Sequence, residues 1–425
     1  LILLKIDFRA REVDRQVMTI TPTSAPSSSA GSSGPASESA PGELPVPLVA
    51  PPGLKGVIVA DTAIGDVRGA EGFFHYRQYS AVELAATRTF EDVWHLLLFG
   101  RLPDAVERES FLFATAPRRT LPPAVLAALP AIAASGASPL SQLATALALT
   151  GGVLGLRPML DIDEAERLDD ALALVAVVPT IVAALHRLGL GLVPIEPDPA
   201  LSHAADYLRM LTGEAPGDEQ ARAVDAYLVL TADHGFNAST FTGRVIASTG
   251  ADLGACVVGA LGALSGPLHG GAPSRALDLL DEIGEPSRSA AVVEDKIGRG
   301  ERIMGFGHAV YAGEDPRSVL LREIAGGLGG PQAELARTTE AAVVETLARL
   351  KPDRDLRTNV EFYAGVVMER CGIPRELFTS TFAVSRTAGW CAHALEQAAA
   401  HRLIRPSARY TGPAPAVPVP TAEVR

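Results

Sequence analysis

Three of the nine histidines stand in glycine-bearing segments that could bring an imidazole against a ligand. His234 lies in Ala232-Asp-His-Gly-Phe-Asn-Ala-Ser239, and His269 in Gly266-Pro-Leu-His-Gly-Gly-Ala272. His308 lies in Ile303-Met-Gly-Phe-Gly-His-Ala-Val-Tyr311. Glycine beside a histidine lets backbone and ligand approach closely, and loops at helix ends are where catalytic groups tend to be held. His75, His95, His186, His203, His393 and His401 sit in ordinary segments and read as structural or surface residues. Three arginines complete the set: Arg317 after Asp315-Pro316, Arg386 in Ser385-Arg-Thr-Ala-Gly-Trp390, and Arg405 in Arg402-Leu-Ile-Arg-Pro406. A guanidinium grips a carboxylate with two parallel hydrogen bonds. A dicarboxylate needs at least two such grips, so arginines and histidines together suggest a di-anionic ligand. No metal is expected, because the three histidines lie dozens of residues apart without a close pair such as His-Glu-x-x-His. A dinucleotide fingerprint is not expected either. Gly305-Phe-Gly307 has Val310 where the third glycine belongs, and no convincing strand precedes it.

The elements that must hold these groups read as helices. The chain has 425 residues, enough for more than one domain and a large core. It is 47% hydrophobic, only 5% aromatic, and rich in the helix formers Ala and Leu. A net charge of −12 and a pI near 5.3 favour solubility and argue against nucleic acid as a partner. Local arginines must then hold an anionic substrate against the field of the whole protein. Cys256, Cys371 and Cys391 are too few and too scattered for a disulfide framework, and fit buried hydrophobes in a reducing cytoplasm. No segment reads as a membrane span. The apolar run Ala171–Leu185 is short and interrupted by Pro179, and Leu253–Leu268 is short and carries Gly254, Gly259, Gly262 and Gly266.

Residues 1–52 are expected to form a disordered Ser/Pro/Ala-rich tail, in which Met18, the first methionine, is one candidate start. Residues 413–425, with Pro413, Pro415, Pro418 and Pro420, are expected to be extended. Val57–Gln78 is the one credible β region: Val57, Val59 and Phe73–Tyr76 flank Gly65, Asp66, Gly69 and Gly72, which predicts a small hairpin. Phe90, Val93, Trp94 and Leu97 then mark one face of a helix, opened by a Thr89/Asp92 capping box and closed by Gly100. Val343, Val344, Leu347 and Leu350 repeat that pattern. Ala251–Leu264 is apolar nearly all round and predicts a helix buried on every side, in a monomer core or at a subunit interface. Alternating strand–helix units are absent, so a Rossmann-like sheet is not expected.

In this order the segments resemble the citrate synthase family, from about Gly53 to Gly412. The resemblance includes Glu71-Gly-Phe-Phe-His-Tyr-Arg-Gln-Tyr79 and the segment Phe90–Pro103. The motifs that bear chemistry are Asp-His-x-x-Asn at 233–237, Gly-Pro-Leu-His-Gly-Gly-Ala, Met-Gly-Phe-Gly-His, Asp-Pro-Arg, Asn359-Val-Glu-Phe-Tyr363, and Arg386-Thr-Ala-Gly-Trp-x-Ala-His-x-x-Glu-Gln397. The resemblance implies an all-α, two-domain fold with a small N-terminal β-hairpin. The large domain would span 53–271 and 376–412, and the small domain 272–375. It implies an acyltransferase that condenses acetyl-coenzyme A with oxaloacetate and hydrolyses the thioester, with acetyl-CoA as co-substrate and no tightly bound cofactor. His269 would serve the enolate oxygen. His308 would polarise the keto carbonyl, and Glu361 would be the base. His234, Asn237, Arg317 and Arg386 would hold oxaloacetate. Ile303, Met304, Gly305, Phe306 and Gly307 would grip coenzyme A through backbone. Arg405 matches an arginine that reaches the neighbouring subunit's site, which implies a homodimer.

Two departures stand out. Glu361 occupies the place of the family's usual Asp, and its extra methylene could set the carboxylate about 1 Å further out. Ala309 and Ala312 stand where basic residues are frequent, which predicts a weaker or relocated site for the coenzyme A phosphates. Two alternatives accompany this reading: a 2-methylcitrate synthase using propionyl-coenzyme A, since one methylene is worth only about 1–3 kcal/mol, and a non-catalytic homologue that binds ligand.

Overall fold

A computed structural model describes residues 48–267, 269–270, 272–307, 311, 313–413 and 418–419, and the side chains of 272–274 are not described. Residues up to Val57 form a unit of their own, whose described part is exposed and carries a single 3-10 turn at Pro52–Leu54. The chain from Ile58 onward forms one compact unit.

The β region is a three-stranded antiparallel meander: β1 (Gly65–Arg68), β2 (Phe73–Tyr76) and β3 (Tyr79–Ser80). Gly65 pairs with Tyr76 and Arg68 with Phe73. The expected hairpin is thus shifted and enlarged. Val57 and Val59 carry β-favouring side chains but pair with nothing in the sheet, because the strands begin only at Gly65. Alternation on β2 sends Phe74 and Tyr76 inward, a placement that matters for the site.

Helices make up the rest. The first group is α1 (Ala81–Thr87), α2 (Phe90–Phe99), α3 (Ala105–Thr115), α4 (Pro123–Ala133), α5 (Pro139–Leu154) and α6 (Glu164–Gly189). α7 (His203–Thr212), α8 (Asp218–Thr231), α9 (Ala238–Ala247) and α10 (Leu253–Leu264) follow. Then come α11 (Ala272–Ile283), α12 (Ser289–Gly298), α13 (Pro316–Leu328), α14 (Pro331–Leu350), α15 (Val360–Arg370) and α16 (Phe378–Ala400). The capping box at Thr89 and Asp92 is present, and Phe90, Val93, Trp94 and Leu97 are all buried.

One expectation needs correction, and a second, burial of α10 in a monomer core or at a subunit interface, loses its monomer-core alternative. α6 does not stop at Pro179 but runs through it for 26 residues. Packing against α4, α5, α7 and α16 buries all of Ala171–Leu185 except Ala173, and outweighs the one backbone bond that proline forfeits. Among the described residues it is the one helix long and apolar enough to cross a membrane. α10 is not buried on every side within the chain. Cys256, Val257, Ala260 and Leu261 face α5, α9 and α16, while Ala255, Val258 and Ala263 are partly exposed and Gly262 fully so. α16 is buried along most of its length, and its buried set includes the polar residues Arg386, His393 and Gln397. α15 packs between α11 and α13, and α8 meets both α13 and α15.

Candidate active site

The loop between α8 and α9 carries His234, and strand β2 supports it from below. Tyr76 Oη donates to Val229 O (2.8 Å) and accepts the Asp233 N–H (3.2 Å). The Phe74 ring lies 5.0 Å from that of His234. Asp233 Oδ2 accepts the Gly235 N–H at 2.9 Å, closing a turn in which Gly235 has φ +60°, the left-handed region glycine tolerates. His234 Nε2 then lies 3.1 Å from Tyr311 Oη. Burial acts to raise the Asp233 pKa, but His393, Arg386 and the Gly235 N–H outweigh it and hold the carboxyl below its ordinary range.

One face of α16 organises the other side of this loop. Arg386, Gly389, Trp390, His393 and Gln397 recur at helical spacing. Arg386 Nε donates to Thr231 O at 2.7 Å. A Cβ on Gly389 would stand 2.2 Å from Ala232 O, so the close approach of helix and loop requires glycine. Trp390 Nε1 donates to Ser239 Oγ (3.2 Å), and His393 Nε2 meets Asp233 Oδ1 (3.2 Å). The Arg386 guanidinium is 2% exposed and lies 4.4 Å over the Phe382 ring. Its Nη1 and Nη2 have no acceptor among the described residues. Burial brings its pKa down to about 10, against the pull of Asp233 and Tyr76.

His269 meets this loop at Ser239. The Ser239 N–H donates to His269 Nε2 (3.3 Å), and Ser239 Oγ lies 2.8 Å from the same nitrogen. A backbone N–H can only donate, so Nε2 accepts and the ring proton sits on Nδ1. Burial, aided by the Arg386 charge, brings His269 down to about 4. The ring is therefore neutral near pH 7 and able to offer an Nδ1–H to a developing oxyanion. Asn237 caps α9: its Oδ1 accepts from Thr240 N (3.0 Å) and Ser239 Oγ (2.8 Å), and its Nδ2 donates to Gly235 O (3.2 Å).

The second half of the site is built on α13 and α15. Asp315 caps α13, and its carboxylate accepts from Arg317 Nε (3.0 Å), Arg317 Nη2 (2.8 Å) and Val360 N (3.0 Å), which ties both helices together. Arg317 also lies over the rings of Phe74 (5.7 Å) and Tyr311 (5.8 Å), next to the neighbours of His234. Asn359 caps α15, with Oδ1 accepting the Glu361 N–H at 3.0 Å. Its backbone N–H donates to Gly305 O (2.9 Å) and its Nδ2 to Gly307 O (3.0 Å), while Gly307 N donates to Arg357 O (2.8 Å). The segment Ile303, Met304, Gly305, Phe306 and Gly307 is thereby fastened to the N-terminus of α15. Gly305 and Gly307 have φ +83° and +81°. The carboxylate of Glu361 has no hydrogen-bond partner among the described residues. Burial pushes it up to about 7, opposed by Arg317 and assisted by Asp315.

Of the residues singled out in the sequence, His269, Arg317, Arg386 and Glu361 share one electrostatic neighbourhood: Arg386 acts on His269, Arg317 on Arg386, and Arg317 on Glu361; the rings of Phe74 and Tyr311 lie against both His234 and Arg317. Arg405 is exposed on the non-helical segment after α16, apart from this cluster. His308, Ala309, Val310 and Ala312 lie outside the described residues. Sequence reasoning did not single out Asp233, Ser239, Arg244, Tyr311, Asp315 or His393. The signal for His393 was available, since its spacing from Arg386 and Trp390 places all three on one helix face.

Comparison with known proteins identifies the family and the fold. The model of the citrate synthase C-terminal domain matches residues 53–407. The chain belongs to the citrate synthase family. A citrate synthase of Haloferax volcanii is 38% identical over 362 residues, covering 85% of this chain and 95% of that protein. The crystal structure of citrate synthase from Pyrobaculum aerophilum is 36% identical with a TM-score of 0.77, covering 86% of this chain and 93% of that one. The Thermoplasma acidophilum citrate synthase, solved as a ternary complex with carboxymethyl coenzyme A and oxaloacetate, is 28% identical with a TM-score of 0.80, covering 87% of this chain and 97% of that one.

Proposed function

We propose that this chain condenses acetyl-coenzyme A with oxaloacetate and hydrolyses the citryl thioester, giving citrate and free coenzyme A. The observation that carries the proposal is the Glu361 carboxylate, without a hydrogen-bond partner among the described residues and held near 7, in the same electrostatic neighbourhood as a neutral His269 and the buried Arg386. Glu361 takes a proton from the acetyl methyl group, and the His269 Nδ1–H stabilises the enolate oxygen. The enol carbon bonds to the keto carbon of oxaloacetate, whose oxygen His308 polarises and protonates. Water then cleaves the thioester and releases the thiol. His234, Asn237, Arg317 and Arg386 hold oxaloacetate, and the backbone of 303–307 holds coenzyme A.

In this reading 53–271 with 376–412 forms a large domain and 272–375 a small one, which closes once oxaloacetate is bound. Two copies pair in the cytoplasm through the small-residue face of α10, and Arg405 reaches the partner's site. The ternary complex of the Thermoplasma relative supports the substrate pair.

The test is thiol release from acetyl-coenzyme A with and without oxaloacetate. Oxaloacetate-dependent release is expected, and its absence from folded protein refutes the proposal. Parallel kcat/KM values for propionyl-coenzyme A decide the acyl preference.

A further inference from the structure

A chain of buried polar groups runs behind His234. Arg244 on α9 is 2% exposed and donates from Nη1 to His393 Nδ1 (3.1 Å) and to Glu396, and from Nε to Gln397 Oε1 (3.1 Å). Arginine has only donors, so His393 Nδ1 must accept and the ring proton must sit on Nε2. That proton is donated to Asp233 Oδ1 at 3.2 Å. The other oxygen of Asp233 accepts the Gly235 N–H that closes the His234 turn. Each oxygen of one carboxylate thus serves one end: the relay on one side, the turn that aims His234 on the other.

The relay also decides what Asp233 does not do. Arg386 and Asp233 feel each other's charge, yet among the described residues the guanidinium bonds only to Thr231 O, and its Nη groups find no acceptor there. A buried carboxylate deprived of its His393 donor would seek a replacement, and Arg386, whose charge acts on Asp233, holds donors unused among the described residues. We propose that His393, fixed in its tautomer by Arg244, is a positioning residue that aims His234 and keeps Asp233 from capturing Arg386. This inference rests on the proposed condensation reaction and assigns the relay to the oxaloacetate half of it.

Both consequences of breaking the relay fall on oxaloacetate. Misplacement on the 1 Å scale can cost about 100-fold. In the full-length chain, His393→Ala is expected to raise the KM and calorimetric Kd for oxaloacetate by about 10- to 100-fold. The KM for acetyl-coenzyme A stays within about twofold, since an effect below roughly 0.4 kcal/mol is all that a site untouched by the relay should show. His393→Gln, whose amide can accept from Arg244 and donate to Asp233, is expected to recover most of the loss. A residue that only fills space would instead lower the active fraction, changing kcat and leaving both KM values alone. Equal losses for both substrates, a Gln variant no better than Ala, or an unchanged oxaloacetate KM overturns the positioning role. Should His393→Ala not fold, Arg244→Gln carries the same test, because it removes the donor that fixes the tautomer. Wild-type protein without turnover refutes the reaction itself; wild-type turnover with an unaffected His393→Ala refutes only the relay.

Discussion

Glu361 offers the sharpest test, because activity and stability should respond to it in opposite directions. Moving a carboxyl from its ordinary 4.5 up to about 7 corresponds to roughly 3 kcal/mol against the charged form. The base must be ionised, so kcat/KM should fall tenfold per pH unit below about 7. At pH 5.5 it should be about thirtyfold below its plateau, whereas a carboxyl at 4.5 would lose only about a tenth there. His269, held at about 4, does not titrate in that window. Glu361→Gln should cost at least about 100-fold in kcat. The same burial that poises the base opposes folding. A carboxyl whose folded pKa is raised stabilises the protein fully below about 4.5 and loses that contribution as pH rises through 7. Glu361→Gln should therefore be more stable than wild type at pH 8, by at most roughly 3 kcal/mol because the side chain is partly exposed. That gain should vanish near pH 4. Urea denaturation at both pH values, beside pH–rate profiles, checks the pair. A profile flat down to pH 5.5, or a Gln variant that keeps turnover, refutes the base assignment.

Three further outcomes follow from the same geometry. His269→Ala should lower kcat about 100- to 1000-fold by removing one oxyanion donor, with oxaloacetate binding by calorimetry retained. Gly389→Ala sets a Cβ 2.2 Å from Ala232 O and should destabilise the protein by about 1–3 kcal/mol despite the helix-favouring change, while weakening oxaloacetate binding through the displaced loop. Thr89→Ala, which removes the α2 cap, should cost about 1 kcal/mol in denaturation and leave kcat unchanged.

What was legible in the sequence was local. The cap and apolar face of α2 act within ten residues, and the glycines flanking His234 and the 303–307 segment report backbone geometry directly. The failures share a cause in tertiary context. Val57 and Val59 have strand propensity but no strand to pair with. Pro179 breaks an isolated helix but not one enclosed by four neighbours. The even polarity of α10 hides which face the chain covers. The roles of Ser239, Tyr311 and Arg244 cannot be read locally, although the first two stand inside the histidine segments: each acquires its partner from an element far along the chain, His269, His234 and His393 respectively.

The cations at the centre of the site lead to a last expectation. Arg317 is balanced by Asp315, but Arg386 is buried with two nitrogens that lack an acceptor among the described residues. Its fall from 12.5 to about 10 corresponds to roughly 3 kcal/mol against the charge it still carries at pH 7. The site therefore carries an electrostatic cost that a bound carboxylate would relieve, in a protein whose net charge of −12 disfavours anions elsewhere. Oxaloacetate at a hundredfold excess over its Kd should stabilise the fold by about 2.7 kcal/mol. Arg386→Gln should make the ligand-free chain more stable and abolish that ligand-induced gain. Because the guanidinium is enclosed, moderate salt should weaken the effect less than it would for a surface pair. Differential scanning fluorimetry of both proteins, with and without oxaloacetate, reads all of this. If Arg386→Gln is less stable when empty and keeps the full shift with ligand, Arg386 is a structural cation and the dianion is held elsewhere.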